Sequence, residues 1–340
     1  MDKTVFITHL PAFYIVNLYN EIAKKKNISV LYLGKETIES RSLDFVSNEM
    51  NFDYKFINNG AFQHRNRLKS SFAIIKYLLI QNPKEIIVGG WDTLEFWIIL
   101  MFFKKNRISL VLESSVYESK THGLKRLLKQ LFLKKVFKVY APGDNHIKLL
   151  RDLNYSGDTI KTKGVGLINY KHKSQPLDIY QKKFIYVGRL SEVKNLTFLI
   201  KTFNKHPEYI LTIIGEGPDK IKLESMSEPN INFVGSVKNK ELSQYFSQNN
   251  FLILPSLSET WGLVVEESLY NGMPVIISNN CGSVDLVKNE FNGYVFDPDS
   301  AFDLENIILG IENNIYQKLK VNIAENYIES KDIYQVGSYL

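Results

Sequence analysis

One cysteine, Cys281, stands in 340 residues. A single thiol excludes an internal disulfide and any metal site built from several cysteines, and it fits a reducing compartment. Cys281 itself reads as a small filler residue. Long apolar runs are also missing: the longest, FWIILMFF, falls far short of the roughly 20 residues that a spanning helix needs. The opening MDKTVFITHLP lacks the basic region, extended apolar core and small-residue cleavage site of a secretory leader, so the expected location is the cytoplasm. No long-period repeat or low-complexity tract interrupts the chain. At 44% hydrophobic and 23% charged residues, the composition is that of a folded globular protein.

A chain of this length exceeds what one core usually organises, so two domains are expected. Short apolar runs alternate with helix-like stretches throughout. In the first half the strands read as TVFITHL, ISVLYLG, YKFIN, EIIVGG, ISLVLES and FKVYAPG; in the second as KFIYVGR, YILTIIGEG, INFVGS, FLILPS, PVIIS and GYVFDP. Strands that are apolar throughout, separated by helices, point to parallel sheets covered on both faces. The polar stretch GLINYKHKSQPLDIYQKK reads as a linker over roughly residues 168–182. The expected architecture is thus α/β, two Rossmann-like doubly wound domains over residues 1–168 and 169–320, facing across a cleft. A helical tail over 321–340 follows, whose docking partner the pattern leaves open. Charge is uneven: 26 basic against 15 acidic side chains in residues 1–170, and 16 against 21 thereafter. The two halves therefore suit different partners.

Three loops of the second half carry chemistry. In FIYVGRLSEVKNLTFLIKTF, Gly188 is followed by Arg189 and Lys194 between a strand and a helix start. Two cations beside free helix-start amides make an anion site suited to a diphosphate; two solvated surface cations are the plainer reading. In YILTIIGEGP, Gly215 and Gly217 flank Glu216, which allows close approach to a ligand or simply makes a tight turn. In SLSETWGLVVEESLYNGMP, a helix is expected from about Leu263 to Tyr270, stopped by Gly272. The amides of Gly262, Leu263 and Val264 would be unpaired donors at its start. Glu259 precedes that start and Glu267 lies one turn inside it, so each carboxylate can take a pair of sugar hydroxyls. For Glu266 and Glu267 the alternative is mere electrostatic preference for a helix N-terminus.

The ordered set VGRLSEVKN, IIGEGP, FVGSV, LILPSLSETWGLVVEES, NGMPVIIS and NGYVFDP resembles the donor-binding half of the retaining glycosyltransferases of family 4, enzymes of GT-B architecture, over about residues 184–298. The resemblance implies that Arg189 and Lys194 hold the donor diphosphate and that Glu259 contacts the transferred sugar near the reacting centre. It also implies that Glu267 binds the ribose, that Trp261, Gly262, Leu263 and Val264 line sugar and phosphates, and that Gly215 to Gly217 and Val237 lie near the base. In the first half, HLPAFYIVNLYNEIAKK resembles the Pro-x-x-Tyr opening helix of one branch, which brings Pro11 and Tyr14 to the acceptor side. Many relatives place a histidine near the sugar where this chain reads LVLESS, so Glu113 is the candidate there. Gly89, Gly90, Trp91 and Asp92 are further cleft candidates. His9 reads as a ligand contact or as a packed structural histidine.

The implied reaction is retaining transfer of a sugar from a nucleoside-diphosphate sugar to a saccharide acceptor, lipid-linked in surface polysaccharide or glycoconjugate synthesis. No cofactor is implied beyond the donor substrate. Arg189, Lys194 and the helix start would stabilise the leaving diphosphate without metal, and that phosphate would take the acceptor proton. In THGLKRLLKQLFLKKVFKVY, Leu124, Leu127, Leu128, Leu131 and Phe132 form a stripe beside Lys125, Arg126, Lys129, Lys134, Lys135 and Lys138. This helix reads either as covering the sheet or as lying on an anionic membrane. An epimerase or hydrolase of the same fold remains an alternative. A noncatalytic nucleic-acid binder is another, although the chain has no recognised nucleic-acid module.

Overall fold

The structure, a computed structural model, describes residues 3–38, 45–46, 49–119, 121–168, 174–300, 302–326 and 328–340. The chain divides into two compact units: Met1–Ile168 with Asp332–Leu340, and Asn169–Lys331.

The first unit is built from β1 (Thr4–Thr8), α1 (Phe13–Ala23), β2 (Ile28–Tyr32), β3 (Asp53–Phe56), α2 (Arg67–Gln81), β4 (Glu85–Val88), α3 (Leu94–Phe102), β5 (Ile108–Val111), α4 (Gly123–Lys134), β6 (Lys138–Ala141), α5 (Asp144–Asp152) and β7 (Asp158–Lys161). Its strands pair in parallel in the order β3-β2-β1-β4-β5-β6-β7. β1 and β2 are buried along their whole length, as a strand covered on both faces must be. One core holds Ile74 of α2, Phe96 of α3, Phe132 of α4 and Leu149 of α5 together with strand residues. The other holds Val16, Tyr19 and Ile22 of α1 with Val336 and Tyr339 from the chain's end.

The second unit runs β8 (Lys183–Val187), α6 (Leu196–Asn204), β9 (Ile210–Ile214), α7 (Lys220–Ser225), β10 (Ile231–Gly235), α8 (Leu242–Phe246), β11 (Phe251–Leu254), α9 (Leu263–Tyr270), β12 (Val275–Ser278), β13 (Gly293–Phe296), α10 (Asp303–Gly310) and α11 (Asn313–Asn326). Its order is β10-β9-β8-β11-β12-β13, again parallel.

The last helix, α12 (Ile328–Gly337), crosses the division between units. The tail expected over 321–340 is therefore not one piece. The second unit extends to Lys331, and the remainder packs in the first, where Tyr339 stacks on Tyr140 with ring centroids 4.4 Å apart. Part of the expected linker, residues 169–173, lies outside the described residues. The edge strand β7 has no counterpart among the strands expected from sequence. Its sequence, DTIK, has one apolar residue in four, and Asp158 and Thr159 are exposed, as an edge strand tolerates.

Candidate functional site

In the second sheet the strand order reverses between β8 and β11. Loops leaving the carboxyl ends of two such strands diverge, and open α/β sheets bind ligands at that position. The β8 loop carries Gly188, the exposed Arg189, and Lys194 at the end of the 3-10 turn Glu192–Lys194. The β11 loop carries Glu259, Trp261 and Gly262. Lys194 Nζ lies 2.6 Å from Glu259 Oε2, and their side chains are only 16% and 18% exposed. This ion pair ties the two loops together across the reversal point. The Arg189 guanidinium has no ion-pair partner among the described residues; its carbonyl accepts the Tyr186 hydroxyl at 3.0 Å.

The β11 loop is clamped from its far side. The Glu259 carbonyl accepts the Gly282 N–H and the Trp261 carbonyl accepts the Ser283 N–H, both at 2.9 Å. Gly262 then turns at φ 88°, a left-handed conformation that a side chain would strain. α9 starts there, and its first-turn amides precede any intrahelical acceptor. Leu263 is half-buried, while Val264 and the rest of α9 are buried, so both Glu266 and Glu267 are carboxylates inside the protein. The Glu266 carboxylate receives the indole N–H of Trp261 and the Lys331 ammonium. The hydroxyls of Ser256, Ser258 and Ser283 are buried without a hydrogen-bond partner among the described residues, an unusual density of orphan polar groups. Cys281, in the same loop cluster, is inert: burial, with the Glu259 charge, pushes its thiol up to about 12.

Gly215 and Gly217 serve the packing of loop on loop. A Cβ at Gly215 would sit 1.9 Å from the Gly188 carbonyl oxygen, and one at Gly217 would sit 2.1 Å from that of Leu190. The Leu190 N–H also donates to the Glu216 carbonyl at 3.0 Å. The Glu216 side chain pairs with Lys220 at 2.8 Å on the surface. Val237 is half-buried in the loop after β10.

The first unit has its own reversal point, between β1 and β4. His9 directly follows β1, and Gly90, Trp91 and Asp92 follow β4. His9 Nε2 lies 3.0 and 3.1 Å from the two Asp92 carboxylate oxygens, and its ring meets Phe62 and Phe96 edge-on. Burial pulls the His9 pKa down, but the Asp92 hydrogen bond and the charges of Glu113 and Asp92 outweigh it, leaving a net rise. For Asp92, burial raises and the His9 hydrogen bond lowers, with the lowering dominant. Glu113, just past β5, keeps solvent exposure, yet crowding by protein raises its pKa against the opposing charge of His9, with Asp92 adding to the rise. The histidine is therefore both packed and paired, and the structure joins His9, Asp92 and Glu113 into one electrostatic cluster.

Trp91 accepts the Trp97 indole N–H on its carbonyl at 2.9 Å and faces the Lys129 ammonium at 5.4 Å. Pro11 is buried ahead of α1, and Tyr14 packs edge-on against Phe13 and Phe45.

Two features escaped the sequence reading. Arg65 and Glu95 form a buried two-pronged ion pair at 2.7 and 3.1 Å, and the Arg65 charge acts on both His9 and Asp92. Lys331 reaches Glu266 from 65 positions away. Neither pair has a local signature in sequence. α4 covers the sheet through Phe132 and Leu133, but the leucine stripe takes no part in this: Leu124, Leu127, Leu128 and Leu131 are 44–71% exposed. Phe132 packs on Trp97 of α3, which leaves the leucine stripe outside.

Residues 169–329 match the family described as Glycosyl transferases group 1. A sulfoquinovosyl transferase of Arabidopsis thaliana is 35% identical over 124 residues, which cover 35% of this chain and 24% of that protein. An α-monoglucosyldiacylglycerol synthase of Acholeplasma laidlawii is 30% identical over 121 residues, 33% of this chain and 30% of that protein. The chain thus spans less than a third of the length of these curated relatives. In fold, a protein from Anabaena solved with UDP and glucose superposes with a TM-score of 0.73 at 14% identity, over 100% of both chains. Residues 169–329 thus match the group 1 glycosyltransferases, and the chain shares the two-unit α/β GT-B fold.

Proposed function

We propose that the protein transfers a sugar, with retention, from a nucleoside-diphosphate sugar to a saccharide acceptor. The observation that carries this reading is the Lys194–Glu259 pair spanning the reversal point beside Arg189 and the start of α9. A diphosphate arriving there finds one unpaired guanidinium, one ammonium already held in place, and helix-start amides. As the glycosidic bond to phosphate breaks, negative charge grows on the leaving diphosphate, and these donors stabilise it in place, with no metal needed. Lys194 shifts its partner from Glu259 to phosphate, which frees the carboxylate for sugar hydroxyls. Glu267 takes the ribose hydroxyls. Trp261, Gly262, Leu263 and Val264 line the sugar and phosphates, while Gly188, the Gly215–Gly217 turn and Val237 border the nucleotide. The Anabaena protein was solved with UDP and glucose, which makes UDP the first nucleotide to try.

On the first unit, His9, Asp92 and Glu113, with Gly90, Trp91, Pro11 and Tyr14 around them, form the acceptor side. The imidazole paired with Asp92 orients an acceptor hydroxyl. The acceptor is lipid-linked, and the first unit meets it on an anionic membrane. Three adjoining helices support this: α2 exposes Leu68, Phe72, Leu79 and Ile80, α3 exposes Met101 and Phe102, and α4 exposes its leucines. Around them stand Lys69, Lys76, Lys104, Lys105, Lys125, Arg126 and Lys134; the one acidic residue on the three helices, Glu95, is buried against Arg65. Apolar side chains among cations of one sign suit anionic headgroups. No helix among the described residues is long and apolar enough to cross a membrane. The Acholeplasma relative is named for a glycolipid product.

Thermal shifts with UDP, GDP and ADP, followed by product analysis of anomeric configuration with the matching sugar nucleotides with and without EDTA, test this function. Absence of a shift with all three nucleotides would refute it.

A further inference from the structure

Lys331 and Glu266 are 6% and 1% exposed by residue or side chain, and they bond each other inside the second unit. The same Glu266 carboxylate holds the Trp261 indole, which is 4% exposed, and the Lys331 ammonium also lies 5.5 Å from the Tyr270 ring centre. An ion pair removed from water costs heavily in desolvation, and an apolar pair of the same volume would serve stability as well. What it supplies is direction: charge-assisted hydrogen bonds have narrow geometry. Trp261 is the residue immediately before the left-handed Gly262 and two after Glu259, so its rotamer sets where the loop delivers Glu259 and where α9 begins.

We propose that Lys331 is a positioning residue for the donor site, acting through Glu266 on Trp261 and so on the Glu259–Gly262 turn. The inference rests on the donor-site reading given above. Lys331 touches neither nucleotide nor sugar. It holds Oε2 of Glu266 by charge, and Oε1 of Glu266 accepts the indole N–H from within the first turn of α9. On the other side of the turn Lys194 holds Glu259, so the four-residue bend is held at both ends by buried or half-buried ion pairs donated from outside it.

The test uses the full chain labelled with 5-fluorotryptophan. Its three tryptophans give three fluorine resonances, and Trp261→Phe assigns one of them. Lys331→Met is expected to move the Trp261 resonance alone and to weaken UDP binding about tenfold, with Lys331→Arg restoring both. The double variant Lys331→Met with Glu266→Gln leaves no lone buried charge; it is expected to recover thermal stability while UDP binding stays weak. Recovery of binding along with stability would overturn the proposal, as would a Trp261 resonance that does not move. Should Lys331→Met fail to fold, the double variant carries the same two readouts. A wild-type chain that binds none of UDP, GDP or ADP would defeat the donor-site reading, whereas the Trp261 resonance still decides the role of Lys331.

Discussion

Lys194 and Glu259 are 65 positions apart in sequence and 2.6 Å apart in space, bridging the two loops between which the strand order of the second sheet reverses. A cation and an anion that neutralise each other before ligand arrives avoid two uncompensated charges in a half-buried site. Each is then available when a ligand bearing phosphate and hydroxyl groups replaces the partner.

This arrangement predicts separable kinetic losses. Under the proposed function, Lys194→Ala should lower kcat by about 10² to 10³ with a smaller change in donor KM, because the departing diphosphate would lose a stabilising charge. Arg189→Ala should act in the same direction. Glu267→Ala should raise the donor Kd about tenfold. Steady-state kinetics and calorimetry with the donor nucleotide check all three; unchanged values throughout would remove these residues from the site.

The first unit offers a pH test. His9 titrates above the ordinary 6.5 and Asp92 below the ordinary 3.8, so both are charged in the window between. The raised His9 pKa contributes stability that is full below about 6.5 and is lost as pH rises through the folded value. The lowered Asp92 pKa contributes stability above about 3.8 that is lost as pH falls through its folded value. Asp92→Asn should therefore let burial dominate and drop the His9 pKa, read from its imidazole proton resonance during titration. A His9 pKa that stays raised in Asp92→Asn would break the pairing.

Gly215→Ala brings a Cβ to within 1.9 Å of the Gly188 carbonyl oxygen, at a φ of 141°. Backbone on both sides leaves nothing to yield, so the loss should be on the order of 3 kcal/mol. Gly310→Ala, where an added Cβ meets nothing within 4 Å, is the matched control and should be near neutral or stabilising. Urea denaturation distinguishes the two.

For the exposed stripe, replacing Leu124, Leu127 and Leu131 with Ser should abolish sedimentation with vesicles containing phosphatidylglycerol while leaving nucleotide binding unchanged. The wild-type chain should sediment less as salt rises, because headgroup attraction is screened over about 8 Å at physiological ionic strength. Equal sedimentation of wild type and variant would exclude this face as the membrane contact.

Most strands were legible because they are apolar runs of four or five residues bounded by turn formers, and parallel sheets bury both faces. β7 was not legible, since an edge strand can remain polar. The stripe on α4 was visible in sequence, but its orientation was not: periodicity locates an apolar face without saying what covers it, and here Phe132 and Leu133 alone turn inward. Among site residues, those clustered within one loop, such as Glu259 to Val264, could be read as a unit. Arg65, Glu95 and Lys331 could not, because each acquires its role from a partner at least 30 positions away.

Sequence by itself determined the alternation of strand and helix, the glycine at 262 where the turn into α9 takes a positive φ, and the loops on which charged residues stand. These are local properties, set by sterics and hydrophobic period over a few residues. Tertiary structure alone decided that Lys194 meets Glu259, that His9 meets Asp92, and that Glu266 meets Lys331. Coulomb attraction and hydrogen bonding act over a few ångströms of space, and only the order in which the strands lie side by side brings those distant positions within reach.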